Sequence, residues 1–137
     1  MASTWYPKFK EALLTQASNS NASSGNVKAV LVDSADYTYS ASHEFLSDVP
    51  SGGRVATSGN LANKTFTNGV FDADDFSFST VTGDPSEAII FYIDTGSAAT
   101  SRLMVYVDTA SSGLPVTPNG GNINVTLDSG ANKIAAL

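Results

Sequence analysis

Two strongly hydrophobic runs in the second half of the chain constrain the fold more than any other feature. They span residues 87–93 and 102–107 and are separated by a polar loop of ordinary length for a connection. Each run is rich in β-branched and aromatic side chains, and each is far shorter than the roughly 20 apolar residues of a membrane span. The pattern predicts two strands that pair antiparallel through the centre of a sheet.

The remaining strand signals are short runs bounded by turn residues. They fall at residues 27–32, 37–40, 54–58, 64–67, 70–71, 76–81, 122–128 and 132–137. Residues 27–32 are nearly all apolar, which favours a strand covered on both faces, and Asn68-Gly69 is a strong hairpin signal. Turn signals about every eight to twelve residues are typical of sandwiches and barrels. We therefore predict a mainly β fold, a single antiparallel β-sandwich or barrel-like domain.

The N-terminal residues follow a different pattern. Within residues 1–15, apolar side chains recur at the spacing of one helix face, which predicts a short helix with Pro7 in its first turn. Residues 16–26 are small and polar and predict a flexible linker to a β-rich body at residues 27–137. One short helical turn is predicted at residues 42–46.

Composition excludes several function classes. The chain has 137 residues, no cysteine and a net charge of −6, so one domain without disulfides or thiolate metal sites is expected. The basic residues are scattered, whereas binding of phosphates needs a concentrated basic patch. For this reason we expect no nucleic acid as a partner. We also expect no membrane as a partner, because no apolar run approaches a membrane span and no signal peptide is recognisable.

The candidate catalytic groups lack partners of the required type. His43 is the only histidine, with Ser40, Ser42 and Glu44 close to it in sequence. No nucleophile elbow accompanies them, and proximity on one turn does not place an oxyanion hole. We therefore expect a non-enzymatic protein with no catalytic residue.

The acidic residues are the other candidates for chemistry. Asp72, Asp74 and Asp75 form the densest carboxylate cluster, but the glycine and the distant glutamate of a calcium loop are missing, so a solvated turn is expected. Four further aspartates end predicted strands and are expected to open turns: Asp33, Asp94, Asp108 and Asp128. No cofactor and no metal are predicted.

Six runs of sequence carry a resemblance when they are taken together and in order. They are residues 5–14, 27–33, 36–40, 43–46, 68–75 and 114–121. They resemble a family of small structural proteins found in virions of tailed bacteriophages, and none of them is a catalytic signature. The resemblance implies a virion protein assembled in the bacterial host cytoplasm. Within the particle we favour the head, as a capsid decoration or cement protein on the major capsid shell.

The resemblance also implies partners and contact residues. The partners are the major capsid protein or other virion subunits, together with further copies of the chain in a homo-oligomer such as a trimer. Candidate interface residues lie in the aromatic N-terminal segment and in the proline-glycine loop at residues 114–121. They are Trp5, Tyr6, Phe9, Leu13, Leu114, Pro115, Pro118 and Asn119.

Three alternatives stay open from the sequence. The N-terminal aromatic residues fit a plug that closes the domain's own core as well as they fit an anchor on a neighbour, because plugs and anchors share a composition. The virion component could belong to the tail, the neck or a fibre instead of the head. The chain could also be a carbohydrate-binding or hydrolytic domain that uses Asp72, Asp74, Asp75 or His43.

Overall fold

The chain folds into antiparallel β-strands with one α-helix, in a computed structural model that describes residues 2–109, 114–127 and 134–137. This confirms the predicted mainly β class. The helix α1 spans Pro7–Leu14. The strands are β1 (Ala2–Trp5), β2 (Asn26–Val32), β3 (Arg54–Thr57), β4 (Val70–Phe71), β5 (Phe76–Phe78), β6 (Ala88–Asp94), β7 (Leu103–Thr109), β8 (Ile123–Val125) and β9 (Ala135–Ala136). No helix within the described ranges is long and apolar enough to cross a membrane.

A five-stranded antiparallel sheet forms the centre, with the strand order β1-β7-β6-β2-β3. The two most hydrophobic runs become β6 and β7 and pair antiparallel, as predicted, with Ile90 opposite Tyr106. β2 pairs with β6 along its whole length. Val27 and the residues from Ala29 to the end of β2 are buried, which confirms that this strand is covered on both faces.

One face of the sheet is packed by phenylalanine rings, and we call it the phenylalanine face. Ala29, Phe91 and Val105 lie side by side on it. Phe71 of β4 and Phe76 of β5 meet Phe91 edge-on, with ring centroids 5.8 and 6.0 Å away. Because β4 pairs with β9 and β5 pairs with β8, two short ladders cover this face and make the fold sandwich-like.

The opposite face is packed by tyrosine rings, and we call it the tyrosine face. Val30, Ile90 and Tyr106 lie side by side on it. Tyr37 and Tyr39 cover it, with ring centroids 6.3 and 5.3 Å from that of Tyr106. Both come from the irregular segment that follows β2, so a loop rather than a second sheet closes this side.

Two predicted strands are wrong. Residues 37–40 form no strand, because their tyrosines pack on the sheet as a loop. Residues 64–67 contribute only the bridge between Thr65 and Asp72, whose backbone N–H and C=O groups bond in both directions at 2.9 and 3.0 Å. The hairpin turn at Asn68-Gly69 is present, and both residues have the left-handed φ values, 56° and 76°, that this dipeptide favours.

Other element boundaries shift or fall partly outside the described ranges. The helical turn predicted at residues 42–46 lies at Leu46–Asp48. The reason is that the Asp48 carboxylate accepts hydrogen bonds from the backbone N–H groups of Glu44 and Phe45, at 2.8 and 3.0 Å, which places both residues ahead of the turn. In the last two predicted strands, residues 128 and 132–133 lie outside the described residues, while β8 and β9 lie within the predicted runs.

The N-terminal segment belongs to the body of the protein. The predicted helix is confirmed with Pro7 at its first turn, but the residues before it form β1, which pairs with β7 at the edge of the sheet. Tyr6 is fully buried and Phe9 is 2% exposed. The aromatic residues therefore close the protein's own core, because burying them there removes a large apolar area from water.

The predicted linker is also bound to the body, which corrects the expectation of a free tether. The buried guanidinium of Arg102 donates from Nε to the carbonyl of Ser18 at 2.7 Å. The Lys64 ammonium donates to the carbonyls of Ala22 and Gly25. At Gly25 a Cβ atom would lie 2.8 Å from a methyl carbon of Ile93, so the linker backbone rests directly on β6.

Candidate functional site

The single histidine lies at the end of a chain of hydrogen bonds. The Tyr6 hydroxyl lies 2.8 Å from the Tyr37 hydroxyl, which lies 2.9 Å from Nδ1 of His43. Burial raises the pKa of Tyr37 to about 12. Burial, followed by the hydrogen bond to Tyr37, raises the pKa of Tyr6 above its ordinary value. The two phenols thus stay neutral at physiological pH and link the N-terminal segment to the tyrosine face.

The groups that flank His43 in sequence bond elsewhere. The hydroxyls of Ser40 and Ser42 lie 2.9 Å from each other. The Glu44 carboxylate accepts a hydrogen bond from Nη1 of Arg102 at 2.8 Å. The structure therefore hydrogen-bonds the imidazole of His43 to Tyr37 and not to the side chains of Ser40, Ser42 or Glu44.

Arg102 is a residue that sequence reasoning missed. It is 7% exposed, and its guanidinium carbon lies 4.9 Å from the centre of the Phe45 ring. With its bonds to Glu44 and to Ser18 it fastens both the linker and the turn after His43 to the start of β7. No local signal reveals this role, because its partners are 58 and 84 residues away in sequence.

The densest acidic cluster of the sequence separates in the fold. The Asp74 carboxylate accepts from the side-chain amide of Asn63 at 2.6 Å, and that of Asp75 accepts from the backbone N–H of Leu127 at 2.8 Å. Asp72 lies in the bridge to Thr65. Within the described ranges, these three carboxylates do not form a set close enough to share one metal ion.

A different set of carboxylates converges at the end of β2. Oxygens of Asp33, Asp36 and Asp84 all lie within 4.8 Å of one another. Such oxygens have the ligand chemistry of Ca²⁺. However, Asp36 and Asp84 are exposed, and the buried Asp33 carboxylate accepts from the backbone N–H of Ala35 at 2.9 Å as part of its turn. We assign no metal to this cluster.

The four aspartates that were predicted to open turns at strand ends lie in different positions in the structure. Asp33 opens a turn, as predicted, with the N–H groups of the third and fourth residues after it bonded to its carbonyl. Asp94 does so too, since its carboxylate accepts from the N–H of Gly96 at 3.1 Å. Asp108 lies within β7 instead of after it. Asp128 lies outside the described residues.

An open groove of about 1220 Å³ runs beside the N-terminal segment. Trp5, Phe9 and Leu13 form one wall. The Trp5 ring lies nearly parallel to that of Phe9, with centroids 6.0 Å apart, and its Nε1–H donates to the carbonyl of Ala136 at 2.9 Å. The indole is therefore held in place while part of it stays accessible.

The hairpin turn and the C-terminal residue form a second wall of the groove. Phe66, Gly69, Phe71 and Leu137 line it. The half-buried Phe66 ring stacks on the buried Phe71 ring, with centroids 5.2 Å apart and planes 5° from parallel. Each wall thus presents an outer aromatic ring supported from behind by an inner one.

The linker and the turn after β6 supply a polar rim to the groove. Gln16 and Asn26 line it and are exposed. Among the described residues that line the groove, Asp94 is the one with a charged side chain, and its carboxylate pairs with Nζ of Lys28 at 2.9 Å. That hydrogen bond lowers the pKa of Asp94, so the carboxylate is ionised and its charge is compensated.

The predicted N-terminal interface residues fall into two groups. Tyr6 and Phe9 are buried in the protein's own core, so they are not exposed to a partner. Trp5 and Leu13 are half-buried and line the groove. The large exposed apolar side chain in this region is Leu14, at 87%, which was not among the predicted residues.

The predicted contact loop at residues 114–121 is anchored at two points. Val116 bridges Ser86, with backbone bonds of 2.8 and 2.9 Å, and the N–H of Gly120 donates to the carbonyl of Val81 at 2.8 Å. Between and beside these anchors, Pro115 and Asn119 are exposed, while Leu114 and Pro118 are half-buried. The loop therefore presents side chains to solvent from a fixed base.

No protein-family model matches the chain, and no curated protein matches it. The fold and the site alone therefore define the class: a mainly β, sandwich-like domain with an open amphipathic groove beside its N-terminal segment.

Proposed function

We propose that this protein is a non-enzymatic structural component of a tailed-phage virion, a capsid decoration or cement protein that binds the major capsid shell. The ordered series of six sequence runs that resembles such proteins carries the proposal. Three of these runs meet in the structure, because they supply Tyr6, Tyr37 and His43 to one hydrogen-bonded chain. The resemblance thus concerns residues that build the core.

The bonding of the polar candidates supports a role without catalysis. Glu44 is paired with Arg102, and Asp74 with Asn63. Acid–base catalysis needs a titratable group positioned toward a substrate, whereas these groups fasten one segment of the chain to another.

The contact surface with the shell has to be one that the folded protein still exposes. Tyr6 and Phe9 are buried in the core. We therefore assign the contact to the loop at residues 114–121, in which Pro115 and Asn119 are the main candidate contact residues. Such a protein gains its affinity from many copies on a repeating lattice and needs no deep pocket. A homo-oligomer such as a trimer, placed at the symmetry axes of the shell, fits this mode of binding.

Copy number and position in the particle test the proposal. Purified virions that contain the protein are compared by electron cryomicroscopy with particles that lack it, and the copies are counted by quantitative mass spectrometry. We expect density repeated over the whole shell. A few copies confined to one vertex would contradict the head assignment and favour the tail or neck.

A binding assay tests the contact loop. Purified protein is added back to particles that lack it, and the bound fraction is measured after sedimentation. We expect Asn119→Asp to weaken binding, because the side chain is exposed and the new carboxylate can still accept from the N–H of Gly121, which preserves the base of the loop. The control is Asn60→Ala, an exposed amide elsewhere on the chain. Equal binding of the loop variant and the control would exclude this loop as the contact.

A further inference from the structure

We propose that the groove between Trp5 and Phe66 is a binding site for a neutral oligosaccharide. Glycan binding here is independent of shell binding, because the groove and the loop at residues 114–121 share no described residue. Four features of the groove point to this ligand: its two aromatic walls, its unpartnered amides, its compensated charge and its size.

The aromatic walls suit the apolar face of a sugar ring. Trp5 and Phe66 each have an inner ring behind them, Phe9 and Phe71 respectively, and each keeps part of its surface accessible to the groove. The C–H groups on one side of a pyranose pack against such a surface. Because the Trp5 indole is already fixed by its bond to Ala136, little side-chain entropy is lost on binding.

The rim suits the hydroxyl groups of a sugar. Within the described part of the chain, the side-chain amides of Gln16 and Asn26 make no hydrogen bond to the protein, and both line the groove. Each amide carries two N–H donors and one carbonyl acceptor, which is the combination that neighbouring hydroxyls on a ring can satisfy together. The hydroxyls of Ser23 and Ser24 lie on the same rim.

The charge of the groove favours a neutral ligand. Asp94 is paired with Lys28, and the Lys64 ammonium, which donates to two carbonyls of the linker, is not among the described residues that line the groove. A phosphate, a sulfated sugar or a strongly acidic peptide would lose hydration on entry without finding a basic side chain among these lining residues.

The backbone of the rim disfavours an extended peptide as the ligand. Peptides that add to a protein surface in extended form pair with free backbone N–H and C=O groups. Here the N–H groups of Gln16, Ala17 and Gly25 donate to carbonyls within the chain, and Lys64 occupies the carbonyls of Ala22 and Gly25. The rim therefore offers a ligand hydrogen-bonding groups of side chains more than those of the backbone.

The size of the groove favours several sugar units. Pockets for a drug-sized molecule enclose about 300–1,000 Å³. The groove, at about 1220 Å³ and open along one side, is larger and suits an extended chain of rings more than a single one.

Fluorescence titration tests the proposal, because Trp5 is the only tryptophan of the chain. The full protein is titrated with neutral hexasaccharides of glucose, mannose, galactose and N-acetylglucosamine, with a sulfated hexasaccharide and with a mixture of uncharged extended peptides. We expect at least one neutral sugar to change the Trp5 emission saturably and the sulfated sugar to bind more weakly. No change with any neutral sugar would overturn the proposal, and so would a saturable change with the peptides alone.

Variants distinguish sugar binding in the groove from adventitious binding elsewhere on the protein. In Gln16→Ala with Asn26→Ala we expect the Kd to rise about tenfold with the melting temperature unchanged, because neither side chain has a hydrogen-bond partner among the described residues. The matched control Asn60→Ala removes an exposed amide outside the groove and should change the Kd by less than about twofold. If the double variant binds as tightly as the control, the amides are not part of a site and the proposal fails.

Discussion

The two faces of the central sheet are closed in different ways. The phenylalanine face is covered by hydrogen-bonded ladders whose rings pack on rings of the sheet, as with Phe71 and Phe76 against Phe91. The tyrosine face is covered by a loop, and its rings carry hydroxyls that bond to one another and to His43. Apolar packing needs no specific partner, whereas each buried hydroxyl needs one. The tyrosine face therefore depends on segments far apart in sequence.

The largest effect is expected from opening a cavity in the phenylalanine face. Phe91 is 2% exposed and is contacted by two other rings. Phe91→Ala should lower the free energy of unfolding by about 3–5 kcal/mol, measured by urea denaturation. A matched change at an exposed apolar residue, Leu14→Ala, should cost well under about 1 kcal/mol. Similar losses for the two variants would show that Phe91 is not in a closely packed core.

The next effect probes the polar contacts by which Arg102 fastens the linker and the turn after His43 to the start of β7. Arg102→Met keeps most of the apolar stem but removes the bonds to Glu44 and to the carbonyl of Ser18. We expect a loss of about 2–3 kcal/mol, because the Ser18 carbonyl and a partly buried carboxylate both lose a charged donor. The control Lys8→Met removes a surface pair with Glu11 and should cost less than about 1 kcal/mol. A loss for Arg102→Met no larger than the control's would show that Arg102 is not a fastening point.

The same contrast explains what the sequence could and could not predict. The strands β2, β6 and β7, the helix and the hairpin at Asn68-Gly69 follow from local patterns, since hydrophobic periodicity and turn chemistry act over a few residues. The strand predicted at residues 37–40 is wrong because alternation of Tyr37 and Tyr39 reflects rings laid on the sheet by a loop. An alternation of apolar and polar residues occurs both in a strand and in a loop that packs on a sheet.

The candidate groove lay beyond sequence reasoning for a related reason. Its walls come from the N-terminal segment and from the turn at Phe66, some sixty residues later. The predicted contact residues Trp5 and Leu13 do line it, but composition alone could not distinguish them from Tyr6 and Phe9, which enter the core. Which side of a segment faces the core depends on its pairing, and β1 pairs with a strand about a hundred residues away.

Alkaline pH should weaken the tyrosine face selectively. Burial raises the pKa of Tyr37 and of Tyr92 to about 12, from 10.0, and raises that of Tyr6 as well. Above about pH 10 the unfolded chain therefore binds fewer protons than the folded one, so the contribution of these tyrosines to stability should be constant below that pH and fall as pH rises toward 12. The slope should reach about 1.4 kcal/mol per pH unit for each such tyrosine.

Urea denaturation at increasing pH, with tyrosinate absorbance recorded in parallel, measures this slope. Phe91→Leu should lower the whole curve without changing its slope, because neither phenylalanine nor leucine ionises. A flat profile up to pH 12 in the parent protein would mean that the tyrosines ionise in the folded state, which contradicts their burial.

The last comparison concerns the stability change when a hydroxyl is removed from the tyrosine face in one variant and added to the phenylalanine face in another. Tyr6→Phe removes a buried hydrogen bond but leaves the Tyr37 hydroxyl bonded to His43, so we expect a loss of about 1 kcal/mol. Phe91→Tyr makes the opposite change, since it places a hydroxyl among the rings of Phe71 and Phe76. A buried hydroxyl without a partner costs about 1–3 kcal/mol, so this variant should lose more stability than Tyr6→Phe in the same urea titration. The reverse order would mean that the phenylalanine face can supply a hydrogen-bond partner, and the contrast between the two faces would then be one of ring type alone.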